Sequence, residues 1–209
     1  MLTVTAHADS IISNGNFQQG LTSWTTFTTS NGTLGTGEPK VISFSPDTVS
    51  TYNAVQFQAG QLTHTSSVDL QGGGIFQTVT LPGGYIQLSA DIAAQETTST
   101  NLFGGFAQLL IDMRPVAGYD FGAMMQGEIK TASLSAYELV DSGQHTVAVE
   151  FLRPATSDGS TPFQYLYHVQ GDDTAPEPSS ILLLLLGLAF LALRGRTRIG
   201  RSARPRDLH

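Results

Sequence analysis

The chain has 209 residues, room for one domain of ordinary size and a tail but little for a second domain. Charged residues are only 13% and glycine fills 22 positions, a mixture that suits strands and tight turns better than charge-rich amphipathic helices. The net charge of −7 conceals an asymmetry: residues 1–178 hold four basic and 16 acidic side chains, while residues 179–209 hold six arginines and one aspartate. An acidic body repels phosphate backbones and excludes nucleic acid as a partner. With no cysteine, a disulfide framework, a thiolate nucleophile and Cys-type zinc sites are excluded too.

At the N-terminus, Ala6-His7-Ala8 followed by Asp9-Ser10 has the small-x-small form of a signal-peptidase site. Residues 1–8 read as the end of an export leader, or else as a chance match, since no basic start or apolar run accompanies them. From residue 9 to 170 the dominant signal is period-2 alternation. Val55, Phe57 and Ala59 alternate with Gln56 and Gln58. Ile86, Leu88, Ala90 and Ile92 share one face, with Gln87, Ser89 and Asp91 on the other. Val147, Val149 and Phe151 oppose Thr146, Ala148 and Glu150. Phe163, Tyr165, Tyr167 and Val169 oppose Gln164, His168 and Gln170. Ile75–Leu81 and Phe106–Asp112 are apolar on both faces in part. Glycine and proline clusters such as Gln71–Gly74, Pro82-Gly83-Gly84 and Pro115–Gly118 separate these runs and stop strands from propagating. Ala132–Val140 is the one stretch that reads as a short helix. Seven or more short antiparallel strands predict an all-β, two-sheet jelly-roll sandwich over 9–170.

Two segments carry a resemblance. Asn14-Gly15-Asn16-Phe17 with Gly20 and Trp24, and Gly74-Ile75-Phe76-Gln77-Thr78-Val79 with Pro82-Gly83-Gly84-Tyr85-Ile86-Gln87-Leu88-Ser89, are similar to the opening and a central segment of galactose-binding-like, carbohydrate-binding-module jelly rolls. The resemblance implies that these are mostly turn and core residues and that Trp24 packs inside. It also implies a structural Ca²⁺ held by a Glu after the Asn-Gly-x-Phe and an Asp near the last strand. Gln18 stands where that Glu would be, and Asp172-Asp173 falls beyond Tyr165–Val169, in the linker. The expectation is therefore no cofactor, with a structural Ca²⁺ as the less favoured alternative.

Chemistry is sparse. The five histidines (His7, His64, His145, His168 and His209) form no metal-binding spacing, and no nucleophile elbow or phosphate loop occurs. Asp112-Met113-Arg114, Asp120 and Glu128 flank Gly118-Tyr119-Asp120-Phe121-Gly122, which reads either as a cleft lining or as a surface loop. If a cleft, Tyr119 and Phe121 are the candidate glycan contacts. Catalytic residues are not expected.

The tail speaks more clearly. Residues 171–180 form a polar linker ending in Pro176, Glu177, Pro178 and Ser179, stiff and extended through its prolines. Thirteen residues without a polar side chain follow: Ile181, Leu182, Leu183, Leu184, Leu185, Leu186, Gly187, Leu188, Ala189, Phe190, Leu191, Ala192 and Leu193. As a transmembrane helix they would span about 20 Å against a hydrocarbon core of about 30 Å, a gap narrowed by flanking residues and snorkelling arginine stems. Arg194, Arg196, Arg198 and Arg201, in the basic segment 194–209, would hold that end in the cytoplasm and leave the β domain outside.

Pro-Glu-Pro, an apolar run and arginines in this order resemble the PEP-CTERM sorting signal. The resemblance implies an exosortase-type membrane enzyme as partner and transient anchoring in the inner membrane of a Gram-negative bacterium. Release to the cell surface or extracellular matrix, often beside exopolysaccharide, would follow. The leading expectation is thus a non-enzymatic surface or biofilm-matrix protein. The alternatives are a carbohydrate-binding module recognising extracellular glycan and, further off, a glycan hydrolase.

Overall fold

The computed structural model describes residues 10–60, 70–97, 102–154 and 162–173. The leader-like Ala6-His7-Ala8, the Pro176–Ser179 motif, the apolar run 181–193 and the arginines from Arg194 onward lie outside the described residues. Among the described residues every regular element is a strand, and no helix is long and apolar enough to cross a membrane.

Twelve strands follow in chain order: β1 (Thr25–Thr28), β2 (Lys40–Phe44), β3 (Tyr52–Phe57), β4 (Leu70–Leu81), β5 (Gly84–Gln95), β6 (Leu102–Phe103), β7 (Phe106–Ile111), β8 (Arg114–Asp120), β9 (Ala123–Met124), β10 (Ile129–Val140), β11 (Gly143–Pro154) and β12 (Phe163–Asp173). One five-stranded sheet has the order β1-β4-β11-β7-β8 and the other β10-β5-β12-β3-β2, with β6 and β9 as a separate pair. Consecutive long strands alternate between the sheets, β4 to β5 and β10 to β11 to β12, so the chain wraps round its own core as a jelly roll does. All pairings are antiparallel.

Alternation explains the core. Ile86, Leu88, Ala90, Ile92 and Ala94 of β5 point inward and meet Val147, Val149 and Phe151 of β11, Ile75 of β4 and Leu109 of β7. Each large apolar side chain buried this way contributes about 1.5–3 kcal/mol. The asparagine–glycine opening forms a lid over one end. Asn14, with φ of 51°, donates from Nδ2 to the carbonyls of Gly20 and Thr22, both at 3.0 Å. Its own carbonyl accepts the Trp24 indole N–H at 3.2 Å. Trp24 is 7% exposed and tilted against Phe17, with ring centroids 5.7 Å apart, so it is a packing residue. Gln77 clamps the lid to β4: its Oε1 accepts the Ser13 N–H at 3.0 Å and its Nε2 donates to the Ser13 carbonyl at 3.1 Å. Gly15 lies backbone to backbone on β12, where a Cβ would collide with the Val169 carbonyl.

Three expectations are corrected. Ala132–Val140 is not a helix but part of β10, paired with β5 along its whole length. Leu134, Ala136 and Val140 are buried and Ser133, Ser135, Tyr137 and Leu139 exposed, so the period of two and the β5 edge outweigh the helix propensity of Ala, Leu and Glu. In β12 a bulge between Leu166 and His168 shifts the register by one residue, which puts Tyr165 and Val169 on opposite faces. Asp172 and Asp173 are the last residues of β12, not linker, because they continue its ladder opposite Gln87 and Ile86.

Two hairpin turns of the sandwich are tied together. The β7–β8 turn residues Asp112 and Met113 have φ of 51° and 61°. Asp112 accepts the Thr146 N–H at 2.9 Å and faces His145 Nδ1 at 2.8 Å, while His145 Nε2 meets the Asp141 carbonyl at 2.9 Å. With an acceptor at each ring nitrogen the imidazolium is favoured. The Asp112 hydrogen bond, above all, raises His145 from 6.5. The Thr146 N–H, foremost, and then His145 hold Asp112 below 3.8. The stabilisation from His145 is complete below its ordinary value and is lost as pH rises through the raised one. That from Asp112 is present above the ordinary carboxylate value and is lost as pH falls through the lowered one. Hence the difference in melting temperature between the wild type and His145→Gln should be greatest at about pH 5, between the two unperturbed values, and shrink as pH rises through the raised histidine value. Thermal melts across pH check this, and a gap that widens on the alkaline side contradicts it.

Candidate functional site

The outward face of the sheet β10-β5-β12-β3-β2 collects the chemistry. Its β5 positions are Tyr85, Gln87, Ser89, Asp91, Ala93 and Gln95, in antiphase with the core residues. Neighbouring strands add Ser133, Tyr137 and Leu139 from β10, Tyr165, Gln170 and Asp172 from β12, Tyr52 and Gln56 from β3 and Phe44 from β2. Two aromatic clusters stand at its ends. Tyr85 and Tyr137 stack with centroids 4.8 Å apart at 8°, and both are about half exposed, at 47% and 59%. Towards the other end Phe44 stacks on Tyr165 at 3.9 Å and 12°, and Tyr167 leans on both Phe44 and Tyr52. From Tyr85 to Asp91 the face runs about 20 Å at roughly 3.3 Å per residue.

Between the clusters lie amides, hydroxyls and a carboxylate. Gln56 Nε2 donates to the Tyr165 hydroxyl at 3.1 Å, and that hydroxyl donates to Gln95 Oε1 at 3.0 Å. Asp91 accepts from the Ser133 hydroxyl in a short contact and faces His168 Nδ1 at 3.4 Å, while the Gln170 amide meets His168 Nε2 at 2.9 Å. Beside His168 a cleft of about 350 Å³ opens, lined by Asn16, Gln18, Thr51, Tyr52, Asn53 and Tyr167 as well. Burial, reinforced by the charges of Asp91 and Asp47, pushes the Tyr167 phenol up to about 12, so it serves as a neutral hydroxyl. Asp47 caps its loop by accepting the Ser50 and Val49 N–H groups, which hold its carboxyl below the usual range.

The candidate residues of the sequence lie elsewhere. Tyr119 is on β8, the edge of the opposite sheet, and is 39% exposed. Phe121 packs edge-on against it at 5.1 Å but is 2% exposed and belongs to the core, with no ring face to offer a ligand. Asp112 and Arg114 serve the hairpin turns and an ion pair to Glu138 at 3.1 Å, and the Glu128 carboxylate accepts the Met125 N–H at 2.8 Å. Gln18 lines the cleft, and among the described residues no three His, Asp or Glu side chains converge as a metal site would require. The sorting residues Pro176, Glu177, Pro178 and Ser179 lie outside the described residues. Sequence reasoning missed the outer-face aromatics, although Tyr85 and Tyr137 stand in phase with polar neighbours, where an aromatic side chain is exposed.

No curated protein matches the chain. Among solved structures, TmCBM61 in complex with β-1,4-galactotriose aligns at 14% identity and a TM-score of 0.47, over 78% of this chain and 98% of that one. The CBM22-1–CBM22-2 tandem domain of Paenibacillus barcinonensis Xyn10C aligns at 13% and 0.45, over 85% and 49%. The CBM22-1–GH10 modules of Clostridium thermocellum xylanase 10B with xylohexaose align at 11% and 0.43, over 79% and 29%. The family model of the PEP-CTERM protein-sorting motif matches residues 174–198, which span Pro-Glu-Pro, the apolar run and the first arginines. Behind its antiparallel sandwich, this chain carries the PEP-CTERM sorting signal of an exported protein that is transiently membrane-anchored and processed by an exosortase.

Proposed function

We propose that this protein, once sorted to the surface or matrix of a Gram-negative bacterium, holds extracellular polysaccharide on the outer face of the sheet β10-β5-β12-β3-β2 and does not cleave it. One observation carries this reading: exposed tyrosine rings at both ends of a face about 20 Å long, Tyr85 with Tyr137 and Tyr52 against Tyr167, with Asp91, His168 and Gln170 between them. Sugar rings bury their C–H faces on aromatic surfaces and need hydrogen-bonding groups for their hydroxyls. The length suits a run of several sugars rather than one. A residence outside the cell, implied by the sorting signal, puts such a face where polysaccharide is found.

Tyr52 and Tyr137 test the reading, because both are exposed enough to be truncated without opening the core. The full chain in a non-ionic polyoxyethylene detergent, which carries no sugar to compete, is titrated with a panel of extracellular polysaccharides. Tyr52→Ala and Tyr137→Ala should each weaken binding about tenfold, or about 1.4 kcal/mol, whereas Tyr119→Ala on the opposite sheet should bind as the wild type does. If the wild type retains none of the panel, the proposal fails. Shortening of a bound oligosaccharide would point to hydrolysis instead.

A further inference from the structure

We infer that the polysaccharide this face takes carries free amino groups, as a partly N-deacetylated amino-sugar polymer does. The inference rests on the glycan-binding reading above and adds the charge of the ligand. Asp91 and Asp172 project from the face itself, four residues apart across β5 and β12 by register, since His168 lies opposite Asp91 and Asp172 opposite Gln87. Asp47 lies close enough for its charge to act on Tyr167 together with that of Asp91. Its carboxyl accepts two backbone N–H groups, so it stays ionised in mild acid, where sugar amines are fully charged.

Among the described residues no lysine or arginine pairs with these carboxylates. Residues 1–178 contain four Lys and Arg side chains, and each has another partner. Lys40 pairs with the buried Glu38 at 2.9 Å, and Arg114 with Glu138 at 3.1 Å. Lys130 donates to the carbonyls of Phe121 and Ala123, and the buried Arg153 to that of Phe103. Lys40 stands on the face itself at its β2 edge, opposite Gln56, where Glu38 pairs with it. His168 is held between the Gln170 amide at Nε2 and Asp91 at Nδ1. The exposed tyrosine rings work in the same direction, since their π faces attract ammonium groups. An acidic polysaccharide would meet like charge at Asp91 and Asp172, and a neutral one would leave that charge unused. A chain with an amine on successive sugars can place one near Asp172 and another near Asp91, with its rings on the tyrosines.

Calorimetric titration of the full chain in the same detergent tests the inference, with three probes of equal length: a chitosan oligosaccharide, the same oligomer fully N-acetylated, and an alginate oligosaccharide. The chitosan probe should bind at least tenfold more tightly than the acetylated one, and alginate least. The preference should fall to about unity near 1 M salt, where the screening length shrinks to about 3 Å, and in the double variant Asp91→Asn/Asp172→Asn. Equal binding of the first two probes, tightest binding of alginate, or a preference indifferent to salt overturns the inference and leaves the glycan face standing. Should the double variant not fold, the salt series on the wild type decides between the two outcomes. Failure to bind these probes or any member of the wider panel removes the glycan-binding reading itself.

Discussion

Gly74→Val should abolish the folded sandwich. Gly72, Gly73 and Gly74 lie in β4, which is paired on one side with β1 and on the other with β11, so neither neighbouring backbone can move aside without breaking a ladder. A Cβ at Gly74 would run into the Val149 carbonyl and come within 2.8 Å of the Glu150 Cα. One at Gly72 would strike the Phe151 carbonyl, and Gly73 has φ of 157°, a backbone that side chains rarely adopt. The obstacle is backbone, which cannot rotate away as a side chain would. A clash of this kind in the interior of a sheet belongs with the rare substitutions costing more than about 4–5 kcal/mol, comparable to the whole stability of a domain, about 5–15 kcal/mol. Circular dichroism and urea titration of Gly74→Val should show no cooperative transition. Gly118→Val is the matched control. It lies on the edge strand β8, where the nearest atom to an added Cβ is the Ala107 carbonyl at 3.5 Å, ordinary contact, and it should change stability by about 0.5 kcal/mol at most. A cooperative melt of Gly74→Val within a few degrees of the wild type would contradict the argument.

That contrast also marks what a sequence reveals of such a fold. The inward phase of β5 and β11 was legible because alternation is local: Ile86 to Ile92 and Val147 to Phe151 announce a buried face without knowledge of their partners. The tail was legible for the same reason, since a linker, an apolar run and a basic end are read in one dimension. What was hidden depends on distant partners. Tyr165 meets Gln56 across 109 positions and stacks on Phe44, and no spacing along the chain signals either contact. The bulge after Leu166 looks like an uninterrupted strand until its pairing with β5 is seen, and it sends Tyr167 and His168 to the cleft while returning Val169 to the core. In β10 the choice of Ala, Leu and Glu favoured one structure and the alternation another, and the free edge of β5 decided between them. Tyr119 and Phe121 form one candidate in the sequence because they share the glycine-rich stretch Gly118–Gly122, yet the chain leaves β8 at Asp120 and carries Phe121 inward.

Replacing Pro176, Glu177 and Pro178 with alanine should leave the protein full length in the membrane fraction of an exosortase-bearing host. Expressed there behind a signal peptide, the parent chain should instead lose its tail. Two properties of the segment motivate the expectation. Proline lacks the N–H that helix propagation needs, and it drives the preceding residue towards extended backbone, so Ala175 and Glu177 are biased towards the conformation in which a peptide bond can be attacked. The apolar run 181–193 would make only about 20 Å of helix by itself, short of the bilayer's roughly 30 Å hydrocarbon core. Alanines at 176–178 would let that helix grow backwards by about 7 Å at 1.5 Å per residue. The span would then match the bilayer better, and the bond to be cut would be drawn into hydrogen-bonded helix. The variant should thus be better anchored and worse processed, a pairing that simple loss of a recognition sequence does not require. Blotting for the sandwich in membrane and released fractions, with carbonate extraction to grade the anchoring, reads both effects. Changing Arg194, Arg196, Arg198 and Arg201 to glutamate gives a separate test of orientation, since removing the positive charge should reduce the share of chains whose sandwich is protease-accessible from outside. Trimming of the alanine variant at the parental rate would show that the extended turn before the apolar run has no part in processing.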